Sequence, residues 1–184
     1  MSNQQKELLN ICVWCAILLF AIRCIISWQN LISNATLYEL FGYASEAISI
    51  SVLFTCLYEK VLWRINPFEK TPKLFNHYTG ILKSNYDNLE RNASLIVKQT
   101  LLSVHVTLIT GESKSKSFMA SIDDVLGETQ LTYCYINTPK AEYRHRSEIH
   151  YGTAILSVVD TKTLEGQYYT DRSTKGDMLF NADK

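Results

Sequence analysis

Two apolar runs open the chain, and a period-two alternation fills the rest. The first run extends from Leu8 to Trp28 and the second from Leu40 to Trp63. A helix crossing the hydrocarbon core of a bilayer needs about 20 mainly apolar residues, and each run reaches that length. The pattern predicts a transmembrane hairpin over 1–66, with helices near 8–28 and 40–63, followed by a β domain over 67–184. Trp14, Trp28, Tyr38, Tyr43, Tyr58 and Trp63 are spread along the runs, and those near the ends suit the membrane interface.

Arg23 and Glu46 interrupt the apolar runs. A charge at mid-membrane costs about 2.5–3.5 kcal/mol on insertion scales and is usually paired. Arg23 lies five positions before Trp28, and Glu46 lies six after Leu40. In an antiparallel hairpin both stand about 8 Å from the turn side, at a rise of about 1.5 Å per residue. An Arg23–Glu46 ion pair is expected, within one hairpin or between neighbouring copies; an Arg23 that snorkels to the surface is the alternative. Gly42, Ser45 and Ser49 share a face with Glu46 and suggest close helix contact there.

Charge orients the hairpin. The connector Gln29 to Glu39 has no Lys or Arg, whereas Lys6 precedes the first run and Lys60, Arg64, Lys70 and Lys73 follow the second. Positive residues stay cytoplasmic, so both termini and the β domain are expected in the cytosol. A cleaved signal peptide is the competing reading of the first run, but Arg23 stands where a lipoprotein signal wants a small residue before Cys24. Of five cysteines, Cys12, Cys15, Cys24 and Cys56 fall in the apolar runs, which leaves Cys134 without a partner in the β domain. That usage fits a reducing compartment, and Cys12-Val-Trp-Cys15 reads as apolar filling.

The remaining residues suffice for one compact domain. Asn66-Pro67-Phe68 is expected to end the second helix, since the residue before proline is driven out of the helical region. Thr71-Pro72 extends a linker short enough to keep the β domain close to the membrane surface. Strands are predicted over Asn76–Asn85, Ala93–Gln99, Leu101–Thr110, Ser115–Ile122, Glu128–Asn137, Ile149–Val159, Gly166–Asp171 and Gly176–Phe180. Turns are expected at Asn85–Asn92, Gly111-Glu112-Ser113, Asp123-Asp124, Thr138-Pro139, Asp160-Thr161 and Ser173–Gly176. Leu102, Val104, Val106 and Leu108 should share one face, with Ser103, His105 and Thr107 opposite. Leu131, Tyr133 and Tyr135 should share another, as should Gly152, Ala154, Leu156 and Val158. About eight antiparallel strands suit a closed up-and-down barrel or a small sandwich. A barrel of that size is either filled by side chains or holds one small ligand.

Formal charge balances, with 18 basic against 18 acidic residues, which argues against a duplex nucleic-acid binder. No catalytic constellation is present: His77, His105, His145 and His150 make no metal-protease spacing, and there is no nucleophile elbow or phosphate-binding glycine loop. Two polar clusters stand out. Lys140–Arg146 is a basic loop able to cover a pocket or to meet anionic headgroups. Leu164–Gly176 packs rings, hydroxyls and two cations into a hairpin. Tyrosine stacks on bases and arginine grips phosphate at two points; a hairpin packed at a barrel seam is the plainer reading.

The two apolar runs, Asn66-Pro67-Phe68, His77-Tyr78-Thr79-Gly80-Ile81-Leu82 and Leu164-x-Gly166-x-Tyr168-Tyr169-Thr170-x-Arg172-x-Thr174-x-Gly176 carry a resemblance over nearly the full chain. They resemble the bacterial anti-phage effectors of CBASS systems, the CD-NTase-associated proteins with two transmembrane segments and a minimal β-barrel. The resemblance implies an eight-stranded barrel that binds a cyclic dinucleotide made by a partner nucleotidyltransferase. It further implies oligomerisation, disruption of the bacterial inner membrane and death of the infected cell. Given the missing catalytic constellation, no enzymatic activity is expected, and no cofactor. Ligand-binding candidates at matching positions are Tyr78, Tyr169 and Arg172; Tyr135 and Lys175 are added on chemistry. Arg23 and Glu46 are the candidates for membrane function. A tethered lipocalin-like barrel binding a lipid, or a filled barrel that docks a protein, are the alternatives.

Overall fold

A computed structural model describes residues 3–29 and 36–183. The chain divides into two units, Met1–Glu69 with Thr100–Leu102, and Lys70–Gln99 with Ser103–Lys184.

The first unit contains two helices, α1 (Asn3–Ile26) and α2 (Leu37–Lys60), that pack against each other. Both are long and apolar enough to cross a membrane. They start earlier than the apolar runs because polar residues also form helix. Asn3–Glu7 makes the first turns of α1, and a capping box sets the start of α2. There the Thr36 N–H donates to the Glu39 carboxylate at 3.0 Å, and the Glu39 N–H donates to Thr36 Oγ1 at 3.4 Å. The expected residues of the connector between 30 and 35 lie outside the described residues.

The expected ion pair forms within the hairpin. Arg23 Nε stands 3.2 Å from Glu46 Oε2, and the guanidinium lies 4.8 Å from the Tyr43 ring centre. The close contact face is not the expected one. Gly42, Ser45 and Ser49 are exposed, whereas Ala47 and Ser51 are buried, with Ser51 Oγ 3.7 Å from Cys12 Sγ. Helix rotation follows the seam Ala47–Ser51–Tyr58, spaced by four and seven residues, which brings the smallest side chains of that stripe against α1.

Helix α2 ends at Lys60, not at Asn66. Val61 leaves helical geometry and a single tight turn, Leu62–Arg64, follows. That turn buries Trp63 completely in a cluster with Tyr58 and Leu101. Neither Tyr58 nor Trp63 is therefore an exposed interfacial ring. The Leu101 N–H donates to the Glu59 carbonyl at 3.0 Å, which accounts for residues 100–102 leaving the β ladder.

The second unit is a closed barrel of eight antiparallel strands in sequence order, β1 (His77–Ser84), β2 (Glu90–Gln99), β3 (Val104–Thr110), β4 (Ser113–Val125), β5 (Glu128–Pro139), β6 (His150–Asp160), β7 (Thr163–Thr170) and β8 (Lys175–Ala182). Strand β8 pairs back onto β1, with Gly80 opposite Phe180 and Leu82 opposite Met178, so the sheet has no open seam there. Alternate positions point inward and fill the interior: Tyr78 and Leu82 from β1, Leu95 and Val97 from β2, Leu131 and Tyr133 from β5, Leu156 from β6, Leu164 from β7 and Phe180 from β8. His105, Thr132 and Cys134 face away from this core as their parity predicts, while Leu102 is exposed in the β2–β3 turn instead of continuing the β3 face.

Turn placement differs from expectation at several points: Glu90–Asn92 and Lys175-Gly176, expected in turns, open β2 and β8. Asp123 and Asp124 are strand residues of β4, paired with Gln130 and Thr129. The reversal falls at Leu126-Gly127, both with positive φ, where the Gly127 N–H is accepted by Asp124 Oδ1 at 2.9 Å. Glycine supplies the left-handed geometry of a two-residue hairpin and forces Leu126 to follow. Thr138 and Pro139 likewise continue β5, since the Ser113–Pro139 pairing holds the last residue of that strand.

Candidate functional site

The inward rows of the barrel change character at one end. Toward that end β1, β3, β5 and β7 each bring a polar inward residue to the opening: Ser84, Thr110, Asn137 and Thr170. Behind each lies a large inward side chain, Leu82, Leu108, Tyr135 and Tyr168. Arg91 opens the inward row of β2, and His150 that of β6. These residues line a cavity of about 160 Å³ at the barrel mouth. The β1–β2, β3–β4 and β7–β8 turns and the loop from β5 to β6 surround it, at the end opposite the start of β1.

Two glycines make room for the two rings. Tyr135 is paired with Gly152 across β5–β6, and Tyr168 with Gly176 across β7–β8. A Cβ on Gly152 would lie 2.5 Å from Tyr135 Cζ and its hydroxyl oxygen; one on Gly176 would lie 2.6 Å from Tyr168 Cε1 and 2.1 Å from the Lys83 carbonyl oxygen. Only glycine lets each ring lie flat across the neighbouring strand. Burial pushes both phenols above their ordinary range, most strongly at Tyr135, so each keeps its proton and can donate.

Three guanidiniums reach the cavity, those of Arg91, Arg146 and Arg172. Arg91 is gripped at two points by Asp87, with Nη1 donating to Oδ1 at 3.0 Å. That contact lowers the Asp87 carboxyl from its ordinary value of 3.8 to about 2. Arg146 Nη2 donates to Glu112 Oε1 at 2.7 Å, and the same oxygen is 4.0 Å from Arg91 Nε. Arg172 Nη1 donates to Ser147 Oγ at 3.2 Å and to the Glu148 carbonyl at 3.4 Å, which ties the β7–β8 turn to the β5–β6 loop. Glu112 is the carboxylate among the lining residues and Asp87 pairs with Arg91 from behind, so three guanidiniums against two carboxylates leave one excess positive charge before His150 is considered.

A larger groove of about 900 Å³ runs along the outer wall past Lys83, Glu90, Glu128, Glu165 and Asp177. Four carboxylates against one lysine repel an anion, and no aromatic ring lines it. The barrel mouth is the better candidate for an anionic, ring-bearing ligand.

Of the five residues expected to bind ligand, Tyr135 and Arg172 line the mouth. Tyr78 does not. It is fully buried in the core, its hydroxyl donating to the Thr161 carbonyl at 2.7 Å and accepting from the Phe75 N–H at 2.9 Å. Tyr169 points out of the barrel and is half exposed, because Tyr168 holds the inward position of that pair. Lys175 is exposed on a separate small groove beside Asn85 and Asp177. Sequence reasoning missed Tyr168, Arg91, Arg146 and Glu112. The signal for Tyr168 was present: Leu164, Gly166, Tyr168 and Thr170 share one parity. The other three depend on which turns meet at one end of the closed barrel.

Comparison with known proteins gives two findings. The family model described as Cap15, cyclic dinucleotide receptor domain matches residues 69–182. The CD-NTase-associated protein 15 of Staphylococcus schleiferi is 29% identical over 184 residues, covering 97% of each chain.

Proposed function

Because this chain belongs to the family of Cap15 cyclic dinucleotide receptors, we propose that it is a CBASS effector whose barrel mouth takes up a cyclic dinucleotide. The observation that carries this reading is the joining of three arginines to two glycine-backed tyrosine rings in one polar cavity. A cyclic dinucleotide has two singly charged phosphodiesters and two bases. The three guanidiniums at the mouth, in excess over the carboxylates that pair with them, suit the first. Tyr135 and Tyr168 offer stacking faces and phenolic donors for the second. Arg172 is assigned to a phosphate, joined by Arg146.

The filled interior counts against a lipocalin-like lipid carrier. An acyl chain needs an apolar channel, and Tyr133, Leu156, Leu164 and Phe180 occupy that space.

In this reading the two helices span the bacterial inner membrane with both termini in the cytosol. Ligand-loaded barrels assemble with further copies, which crowds the hairpins at high effective concentration. Arg23 and Glu46 then exchange partners between copies, draw water into the bilayer and breach it. The test is titration of the detergent-purified full-length chain with a panel of cyclic di- and trinucleotides. Saturable binding of a cyclic dinucleotide, lost in Arg172→Ala, is expected. Failure of the whole panel to bind overturns the assignment.

A further inference from the structure

The mouth is too small for the ligand assigned to it. Small-molecule sites enclose about 300–1,000 Å³, and this one holds about 160 Å³. One acidic side chain bridges the opening. Glu112, in the β3–β4 turn, reaches across to Arg146 in the β5–β6 loop at 2.7 Å and lies 4.0 Å from Arg91. Its carboxylate stands between two guanidiniums, the place a phosphate of the ligand would take.

We propose that Glu112 is an internal stand-in for a ligand phosphate, a latch that holds the mouth shut and must be displaced when the cyclic dinucleotide enters. This rests on the cyclic dinucleotide reading above and specifies how that site is regulated.

The surrounding hydrogen bonds leave the carboxylate as the movable part. Thr110 Oγ1 accepts from the N–H groups of Glu112 and Ser113, at 3.3 and 3.0 Å. The Lys140 N–H donates to the Glu112 carbonyl at 2.8 Å, and Lys140 Nζ donates to the Gly111 carbonyl. The turn backbone is therefore fixed from both sides, while the Glu112 side chain, about one-third exposed, can rotate into water. Asp87 plays a different part: it holds Arg91 from behind and does not line the cavity. A phosphodiester exchanges with the Glu112 carboxylate charge for charge, so Arg146 and Arg91 are never left bare. Once Arg146 follows the phosphate, the 140–149 loop is free of its tie to the β3–β4 turn side chain.

The test compares wild type with Glu112→Gln, full length in detergent, titrated with the same cyclic dinucleotides. The neutral amide keeps the shape and removes both the competing charge and its repulsion of phosphate. An exposed ion pair is worth up to about 1 kcal/mol, so Kd should fall about two- to five-fold. Hydrogen exchange of residues 140–149 in the free protein should speed up at the same time. If Glu112→Gln fails to fold, Glu112→Ala carries the same comparison. Unchanged or weaker binding by the folded variant, with wild type still binding, overturns the latch and leaves the receptor assignment standing. Absence of binding by wild type and variant alike brings down the assignment and the latch with it.

Discussion

Tyr135 lies across Gly152 so closely that a single added carbon on the glycine would meet the ring at 2.5 Å. The pair joins β5 to β6 and sets the floor of the mouth. Gly152→Ala should therefore push the ring off its seat. Overpacking of this kind costs about 1–3 kcal/mol, which should appear as a lowered melting temperature, together with weakened ligand binding. A melting point and an affinity both equal to wild type would show that the ring has room to move.

Parity separates two adjacent tyrosines. Tyr168 faces the cavity and Tyr169 faces solvent. Loss of one base–aromatic stack costs about 1–3 kcal/mol, so Tyr168→Ala should weaken cyclic dinucleotide binding roughly five- to hundred-fold. Tyr169→Ala should stay within about two-fold. Calorimetric titration of the two variants checks this, and equal losses would place the ligand elsewhere.

Within the hairpin, Arg23 and Glu46 compensate one another at 3.2 Å. Glu46→Leu leaves a bare guanidinium among apolar helices, at a cost of about 2.5–3.5 kcal/mol if the site lies near mid-membrane. Membrane yield of the single variants should fall, and the charge-swapped double variant Arg23→Glu/Glu46→Arg should recover most of it. A double swap no better than either single change would remove the pair from the account.

Acid should loosen the mouth through Asp87. Its folded pKa, about 2, lies below the ordinary 3.8, and the main cause is the hydrogen bond from Arg91. A depressed carboxyl stabilises the fold fully above its unfolded pKa and loses that contribution as pH falls. Melting temperature should decline between about pH 4 and about pH 2, and Asp87→Asn should lessen that slope while being less stable at neutral pH. An identical slope in the variant would assign the acid sensitivity to other carboxylates.

The site shows why part of it was legible from the chain. A motif match points to Arg172 and chemistry to Tyr135; the structure sets the first in the β7–β8 turn and the second at an inward position of β5, both at the rim of one cavity. Tyr78 lies away from the mouth: its rank in a motif says nothing of depth. It is an inward residue near the closed end, where its hydroxyl serves the backbone of Thr161 and Phe75. Arg91 lies at the start of β2, Glu112 in the β3–β4 turn and Arg146 in the β5–β6 loop, separated by 21 and 34 positions, and no local pattern links them.

Hydropathy and period two are local properties, so the linear chain alone determined the two apolar helices, the all-β character of the rest and the inward parity of most strands. The Arg23–Glu46 partnership was also within its reach, because two helices joined by a short connector must run antiparallel at a known rise per residue. Closure of the barrel decided what remained. Antiparallel alternation puts the odd-to-even connections at one end, and closure of β8 on β1 bends that end into a rim, which sets three guanidiniums, one carboxylate and two glycine-backed rings around a single opening. Distances across a closed sheet are fixed by strand number and stagger, which belong to all eight strands together and to no stretch of sequence by itself.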